Sequence, residues 1–103
     1  MADTGSRLTV AEVESMLAGR TGYTVLLFTT PTCATCGPVR ERLAKLAAAG
    51  KVRALTCDVM ASPELADHAG ILSVPTVQIY AGAELVRVAV GTACLRALRT
   101  LEG

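Results

Sequence analysis

The apolar residues near the start of the chain change from helical spacing to a continuous run. Thr9 and Glu12 form a capping-box pair. The apolar positions that follow lie on one helical stripe, namely Val10, Val13, Met16 and Leu17. This pattern predicts a helix over about 9–19, ended by Gly19. Residues 24–29, TVLLFT, form a short run without polar alternation, which is typical of a strand buried on both faces at the centre of a sheet.

Three further segments have helical patterns. Apolar positions at helical spacing predict a helix over 39–49, with Gly50 as its stop. The dipeptide Ser62-Pro63 predicts an N-cap followed by proline at the first helical position, and Gly70 ends this short helix. A last helix is predicted over about 93–101.

Strand-like runs occur between these helices. They are VRALTCDV over 52–59, VPTVQIY over 74–80 and LVRVAV over 85–90. Residues 81–84 join the last two runs, which predicts an antiparallel hairpin. Strands separated by helices make a βαβ unit, and the hairpin adds an antiparallel edge to its sheet. We therefore expect an α/β fold with a central mixed sheet flanked by helices on both faces, formed by residues 1–103 as a single domain.

Charge and composition argue against two classes of partner. The formal net charge is +1, and the chain contains two Tyr, one Phe and no Trp. Such a chain offers neither a basic footprint nor aromatic platforms for nucleic acid, and its apolar runs are too short to cross a membrane. The polar N-terminus lacks the order of a signal peptide, so we expect a cytoplasmic protein with no nucleic-acid or membrane partner.

The cysteines place the candidate chemistry at one point of the chain. They stand at positions 33, 36, 57 and 94, too unevenly for a disulfide scaffold. The stretch TPTCATCGP sets Cys33 and Cys36 directly after a buried strand. Such a pair is a redox couple, half of a metal site, or two small core residues. No second CxxC or Cys/His pair supplies further zinc ligands, so we expect no metal site.

The predicted position of the pair favours redox chemistry. Cys33 is expected where the central strand ends and a helix begins, and a helix N-terminus favours thiolate over thiol. Only the thiolate attacks a disulfide. Cys36 lies one turn further along, close enough to displace a mixed disulfide formed at Cys33. The spacing therefore predicts an attacking and a resolving thiol.

These residues resemble the thioredoxin family over nearly the whole chain. The resemblance is carried by Cys33-Ala34-Thr35-Cys36 after VLLF, by Ser73-Val74-Pro75-Thr76 about forty residues later, and by Val90-Gly91 before a C-terminal helix. It implies a thioredoxin-like fold and a protein thiol–disulfide oxidoreductase that acts by dithiol exchange through a redox-active Cys33–Cys36 disulfide. By the same resemblance, Pro75 is cis and faces the cysteines.

The resemblance also implies a substrate groove and partners. It assigns substrate contacts to the backbone of Val74 and to Pro75, Gly91, Thr32, Ala34 and Thr35. The expected partners are disulfide-containing proteins and a reductase such as thioredoxin reductase. We expect a monomer that needs no cofactor.

The chain departs from the family pattern around the cysteine pair. Thr32 replaces the usual tryptophan, Leu27 replaces a buried aspartate that helps to move the proton of the resolving cysteine, and Thr56 replaces the lysine that partners it. In a second alignment, Cys36-Gly37-Pro38-Val39 matches the family's Cys-Gly-Pro-Cys with its second cysteine lost, which makes Cys36 the attacker. The distance from Phe28 favours Cys33 instead. Pro38 is then expected to bend or delay the helix.

The remaining candidate residues are expected to have structural roles and no part in the chemistry. Cys57 in its strand is expected to be core, and His68 and Asp58 are expected to be solvated or strand-end groups. Cys94 is expected to pack, with activation by a helix N-terminus as the alternative.

Two alternative functions stay open. One is a glutathione-dependent, glutaredoxin-like protein, although VAVGTA stands where that family usually has Gly-Gly-x-Asp. The other is a redox sensor or partner-binding module with low turnover, which the loss of the aspartate and the tryptophan favours.

Overall fold

The computed structural model describes residues 9–19 and 21–102, and in them helices and strands follow one another in the predicted order. The helices are α1 (Val10–Leu17), α2 (Cys36–Ala48), α3 (Pro63–Ala69) and α4 (Ala93–Arg99). The strands are β1 (Tyr23–Thr29), β2 (Val52–Asp58), β3 (Thr76–Ala81) and β4 (Glu84–Val90).

The strands of this described part form one mixed sheet in the order β2-β1-β3-β4. β1 is parallel to β2 and antiparallel to β3, and β3 is antiparallel to β4. The expected central position of the first strand is confirmed, since every residue of β1 after Tyr23 is buried. The predicted hairpin is also confirmed. Its turn is shorter than expected, because Ala81 and Glu84 pair across it and only Gly82 and Ala83 connect the strands.

Helices cover both faces of the sheet, as predicted. Side chains alternate across β1, so Leu27 faces one side and Leu26 and Phe28 face the other. Leu27 packs in a cluster with Leu43 of α2 and residues of α4. Leu26 and Phe28 pack in a second cluster with residues of α1 and α3. The sheet is therefore the middle of three layers.

The predicted capping box at the start of α1 is confirmed. The Glu12 backbone N–H donates to Thr9 Oγ1 over 3.1 Å, and the Thr9 backbone N–H donates to Glu12 Oε1 over 2.9 Å. Two of the backbone donors left without a partner at a helix start are satisfied in this way. The helix ends at Leu17, and Gly19 follows with a φ of 71°.

The start of α2 differs from the prediction. The helix begins at Cys36 rather than near Val39 and continues through Pro38 to Ala48, so Pro38 does not delay it. Pro38 is the third helical residue, where a backbone N–H has no partner inside the helix. The missing N–H of proline therefore removes no helical hydrogen bond, and the expectation of a delayed helix was wrong because it counted the loss of such a bond.

Two other elements begin later or end earlier than predicted. β3 begins at Thr76, because Pro75 has no N–H to contribute to a strand ladder. α4 ends at Arg99, and Leu101 N–H donates to Leu98 O over 3.0 Å in a final turn. In the described part of the chain, no helix has both the length and the apolar character needed to cross a membrane.

Candidate active site

The two cysteines of the CxxC motif are joined by a disulfide at the end of the central strand. The Cα atoms of Cys33 and Cys36 are 5.4 Å apart. Cys33 lies in the turn between β1 and α2 rather than at the helix start, and Cys36 is the first residue of α2. Cys33 is partly exposed, whereas Cys36 is 0% exposed. An incoming thiol or disulfide therefore reaches one sulfur of the pair and not the other.

Hydrogen bonds within the turn hold Cys33 in place. Cys33 N–H donates to Thr30 O and Cys36 N–H donates to Cys33 O, each over 3.3 Å. From one turn further along α2, the Arg40 guanidinium donates to Thr29 Oγ1 over 2.8 Å and to Thr30 O over 3.3 Å. Arg40 thus ties the start of the turn to the helix. Arg40 is not among the predicted site residues, although a long cationic side chain one helical turn after Cys36 was a usable signal.

Thr35 contacts the partly exposed sulfur directly. Its Oγ1 lies 3.6 Å from Cys33 Sγ. The resemblance to thioredoxins implies that Thr35, like Thr32 and Ala34, contacts the substrate. All three side chains are exposed around Cys33.

The segment around Pro75 lies at the same end of the sheet as the cysteine pair. Phe28 of β1 pairs with Thr76 of β3, so Pro75 lies next to the turn that leaves β1. The Val74–Pro75 peptide bond is cis. Pro75 O accepts a hydrogen bond from Gly91 N–H over 2.8 Å. The fold therefore brings Pro75 and Gly91 together beside the CxxC turn, with Val74 half-buried next to them.

The family model for thioredoxin matches residues 6–101. The chain belongs to the thioredoxin family. Its Cys33–Cys36 pair is the redox-active disulfide of a thiol–disulfide oxidoreductase, and dithiol exchange is the chemistry that this pair supports.

Solved thioredoxin structures have the same fold. Mitochondrial thioredoxin 3 from Saccharomyces cerevisiae, in its oxidized form, superposes with a TM-score of 0.79 at 21% identity, over 94% of this chain and 92% of that one. Plasmodium falciparum thioredoxin superposes with a TM-score of 0.76 at 18% identity, over 94% and 96%. A mutant thioredoxin from Halobacterium salinarum gives a TM-score of 0.76 at 22% identity, over 99% and 93%. No curated protein matches the chain by sequence.

The position of the missing family aspartate is fully apolar in this thioredoxin-family protein. Leu27 is 0% exposed, and its backbone pairs with Thr56 on one side and Val77 on the other. The two replaced residues, Leu27 and Thr56, are therefore neighbours across β1 and β2. Leu27 packs in one cluster with Val39, which stands one helical turn after Cys36. No carboxylate is present at position 27 to accept a proton.

The other two cysteines are buried thiols. Cys57 is 0% exposed, as expected, and burial raises its pKa although the Ser62 side chain hydrogen-bonds the thiol. Cys94 is also 0% exposed, and its thiol donates to Pro75 O over 3.5 Å and to Ala89 O over 3.4 Å. Burial raises the pKa of Cys94. The alternative that the N-terminus of α4 activates the Cys94 thiol is therefore wrong, because burial disfavours the thiolate more strongly than the helix N-terminus favours it.

The remaining polar candidates have ordinary environments. Asp58 Oδ1 accepts a hydrogen bond from Met60 N–H over 2.9 Å, which closes the turn after β2. His68 is exposed on α3. Among residues 9–19 and 21–102, no three His, Cys, Asp or Glu side chains are grouped so as to hold a metal ion.

Proposed function

We propose that Cys33 is the attacking thiol of this oxidoreductase and Cys36 the resolving thiol. The observation that carries the assignment is the difference in exposure, since Cys33 is partly exposed and Cys36 is 0% exposed. The second alignment, with Cys36 as the attacker, requires a substrate disulfide to reach a fully covered sulfur.

The reaction then proceeds in two balanced exchanges. The Cys33 thiolate forms a bond to one sulfur of the substrate disulfide, and the other substrate sulfur leaves as a thiolate. Cys36 next loses its proton and attacks Cys33 Sγ, which releases the second substrate sulfur and forms the Cys33–Cys36 disulfide. Two electrons pass from the pair to the substrate.

The substrate segment is proposed to lie across Pro75 and Gly91. The hydrogen bond between Gly91 N–H and Pro75 O supports this groove, because it fixes two neighbouring backbone segments beside the CxxC turn. Val74 contributes its backbone. Thr32, Ala34 and Thr35 form the rim on the cysteine side, where they are exposed.

We propose that the whole chain, residues 1–103, works as one monomeric domain in the cytoplasm. Its substrates are protein disulfides, and a reductase such as thioredoxin reductase restores the dithiol. Family membership supports the type of partner. A reductase-coupled assay, compared with a glutathione-coupled assay, identifies the electron donor and tests the glutaredoxin-like alternative.

A low-turnover redox sensor is the second candidate function. The buried Leu27 favours it, because the resolving step has no carboxylate at this position to take the proton of Cys36. A sensor gives one stoichiometric burst of reduction on a disulfide substrate, whereas an oxidoreductase continues to turn over.

Alkylation of the reduced protein tests the assignment of the two thiols. At mildly acidic pH, a brief pulse of iodoacetamide followed by peptide mapping should label Cys33 first. A Cys36→Ser variant should accumulate a mixed disulfide with a protein substrate, and the matched Cys57→Ser variant should not. First labelling at Cys36, or a stable complex with Cys33→Ser instead, would overturn the assignment.

A further inference from the structure

Thr35 places a hydroxyl against the partly exposed sulfur of the pair. Thr35 Oγ1 lies 3.6 Å from Cys33 Sγ. We propose that this hydroxyl donates a hydrogen bond to Cys33 Sγ in the reduced protein and so stabilises the sulfur as a thiolate. The proposal rests on the proposed role of Cys33 as the attacking thiol. It gives Thr35 a contact with the reacting sulfur in addition to its proposed place on the rim of the substrate groove.

The hydroxyl is available because it does not cap the helix. Thr35 is the N-cap of α2, where a threonine oxygen ordinarily accepts from the N–H of the second or third helical residue. The third helical residue is Pro38, which has no N–H. Thr35 also has helical angles, φ −89° and ψ −3°, instead of the extended conformation of a capping residue, and its side chain makes no capping hydrogen bond. Gly37 has the N–H of the second helical residue, but the Thr35 side chain does not accept from it, so the hydroxyl is left to the sulfur.

Three nearby donor groups are already engaged with other oxygens of the turn. Cys33 N–H donates to Thr30 O, and Cys36 N–H donates to Cys33 O. The Arg40 guanidinium donates to Thr29 Oγ1 and Thr30 O. These bonds hold the turn and do not reach the sulfur. A hydroxyl binds an ionised acceptor about twice as strongly as a neutral one, so the contact favours the thiolate over the disulfide or the thiol.

The hydrogen bond has opposite effects on the amount and the strength of the nucleophile. It raises the fraction of Cys33 present as thiolate, but it lowers the nucleophilicity of each thiolate, because nucleophilicity falls with thiol pKa at a Brønsted coefficient of about 0.4–0.5. The hydroxyl keeps its proton throughout the exchange. It loses only its charged acceptor when Cys33 Sγ bonds to the substrate sulfur.

Replacing Thr35 with valine should therefore give a rate effect that changes sign with pH. We expect the midpoint of the pH dependence of Cys33 alkylation to move upward by about one unit in Thr35→Val, since water replaces part of the lost hydrogen bond at this exposed site. Well below both midpoints, alkylation should be about threefold slower than in the wild type. Well above both, it should be about threefold faster. If Thr35 had only a structural role, its replacement would change the alkylation rates at low pH and at high pH in the same direction.

The experiment measures iodoacetamide rates at Cys33 by peptide mass spectrometry between about pH 4 and 10. Thr35→Ser restores the hydroxyl and should restore the wild-type midpoint, and Thr35→Ala serves as a second hydroxyl-free variant if the valine disturbs folding. Thr92→Val is the matched control, because Thr92 is likewise an exposed helix N-cap whose side chain makes no capping hydrogen bond, and its replacement should leave the midpoint in place. An unchanged midpoint in Thr35→Val and Thr35→Ala, or an equal shift in Thr92→Val, overturns the proposal. If Cys36 is labelled first in the wild type, the proposed function fails instead.

Discussion

Restoring a carboxyl group at Leu27 should make the stability of the protein depend on pH. Leu27 is 0% exposed in the central strand, so Leu27→Asp removes about 2–3 kcal/mol of apolar burial. The neutral carboxyl adds about 1–3 kcal/mol, because its polar atoms enter an apolar cluster. The sum, about 3–6 kcal/mol, is a large part of the roughly 5–15 kcal/mol by which domains are stable.

Ionisation of the new carboxyl adds a second penalty, which has a definite sign. Burial raises its pKa in the folded protein above the unfolded value of about 3.9. The folded protein then holds its proton more tightly than the unfolded chain does. Stability is therefore complete below about pH 4 and falls by about 1.4 kcal/mol per pH unit until the folded pKa is passed. A carboxyl with a pKa near 7 costs about 4 kcal/mol more at pH 8 than at pH 4.

Urea unfolding of the oxidised protein at pH 5 and pH 8 measures this effect. The matched control is Leu27→Asn, which has nearly the same shape and loses the same apolar burial but does not titrate. We expect the asparagine variant to change little between the two pH values. The aspartate variant should be clearly less stable at pH 8. Equal pH dependence in the two variants would show that water or a neighbouring group accommodates the charge, and the apolar description of this position would be wrong.

The same pair of variants tests the proton transfer in the resolving step. A carboxylate at position 27 lies on the sheet face that α2 covers, beneath the turn of the helix that starts at Cys36. Positioned bases accelerate proton transfer by about 100-fold or more, so we expect the mixed disulfide at Cys33 to decay at least about tenfold faster in Leu27→Asp than in Leu27→Asn. The measurement is the decay of a mixed disulfide with a small thiol near pH 6. Equal lifetimes would show that another group already takes the proton.

Three further predictions concern the rest of the fold. Thr9→Ala should lower the free energy of unfolding by about 1 kcal/mol, because it removes the capping box, and Glu12→Gln should change it little, because glutamine preserves the box. Equal losses of the two variants in urea unfolding would contradict the capping geometry. Cys57 and Cys94 should resist thiol reagents in the native protein and react once it is unfolded, and rapid native labelling of either one would contradict their burial. Burial raises the pKa of both thiols above 9.0, so the folded protein holds these two protons more tightly than the unfolded chain does, and the free energy of unfolding should fall as the pH rises from about 9 through the pKa values of the folded protein. The fall should be less steep in Cys94→Ala. A free energy of unfolding that stays constant over this pH range in the wild type would refute this prediction.

The order of helices and strands could be predicted because local patterns decide it. The buried run of β1 and the turn residues of the hairpin each specify their element without reference to distant parts of the chain. The start of α2 could not be placed from the same rules. Whether Pro38 disturbs a helix depends on its position from the helix start, and the conformation of the preceding turn sets that start.

The contacts of the site depend on tertiary structure and were only partly predictable. The resemblance to thioredoxins named Pro75 and Gly91, but the hydrogen bond between them follows from the pairing of β3 with β4. The same pairing places the thiol of Cys94 against Pro75 O, where burial suppresses the reactivity that a helix N-terminus favours. The hydrogen bonds from Arg40 to Thr29 and Thr30, and the contact of the Thr35 hydroxyl with Cys33 Sγ, depend on side-chain conformations, which the periodicity of a sequence does not encode.

The central claim is that Cys33 and Cys36 carry out repeated dithiol exchange. The most direct test is to count how many substrate disulfides each protein molecule reduces. The assay follows reduction of a disulfide-linked protein by excess dithiothreitol at a low concentration of this protein, for the wild type, Cys33→Ser, Cys36→Ser and the matched Cys57→Ser control. We expect many substrate disulfides to be reduced per molecule of wild type and of Cys57→Ser. Cys33→Ser should be inactive, and Cys36→Ser should turn over more slowly than the wild type, because only dithiothreitol can then resolve the mixed disulfide at Cys33. A single stoichiometric burst in the wild type, or sustained turnover by Cys33→Ser, would contradict the account.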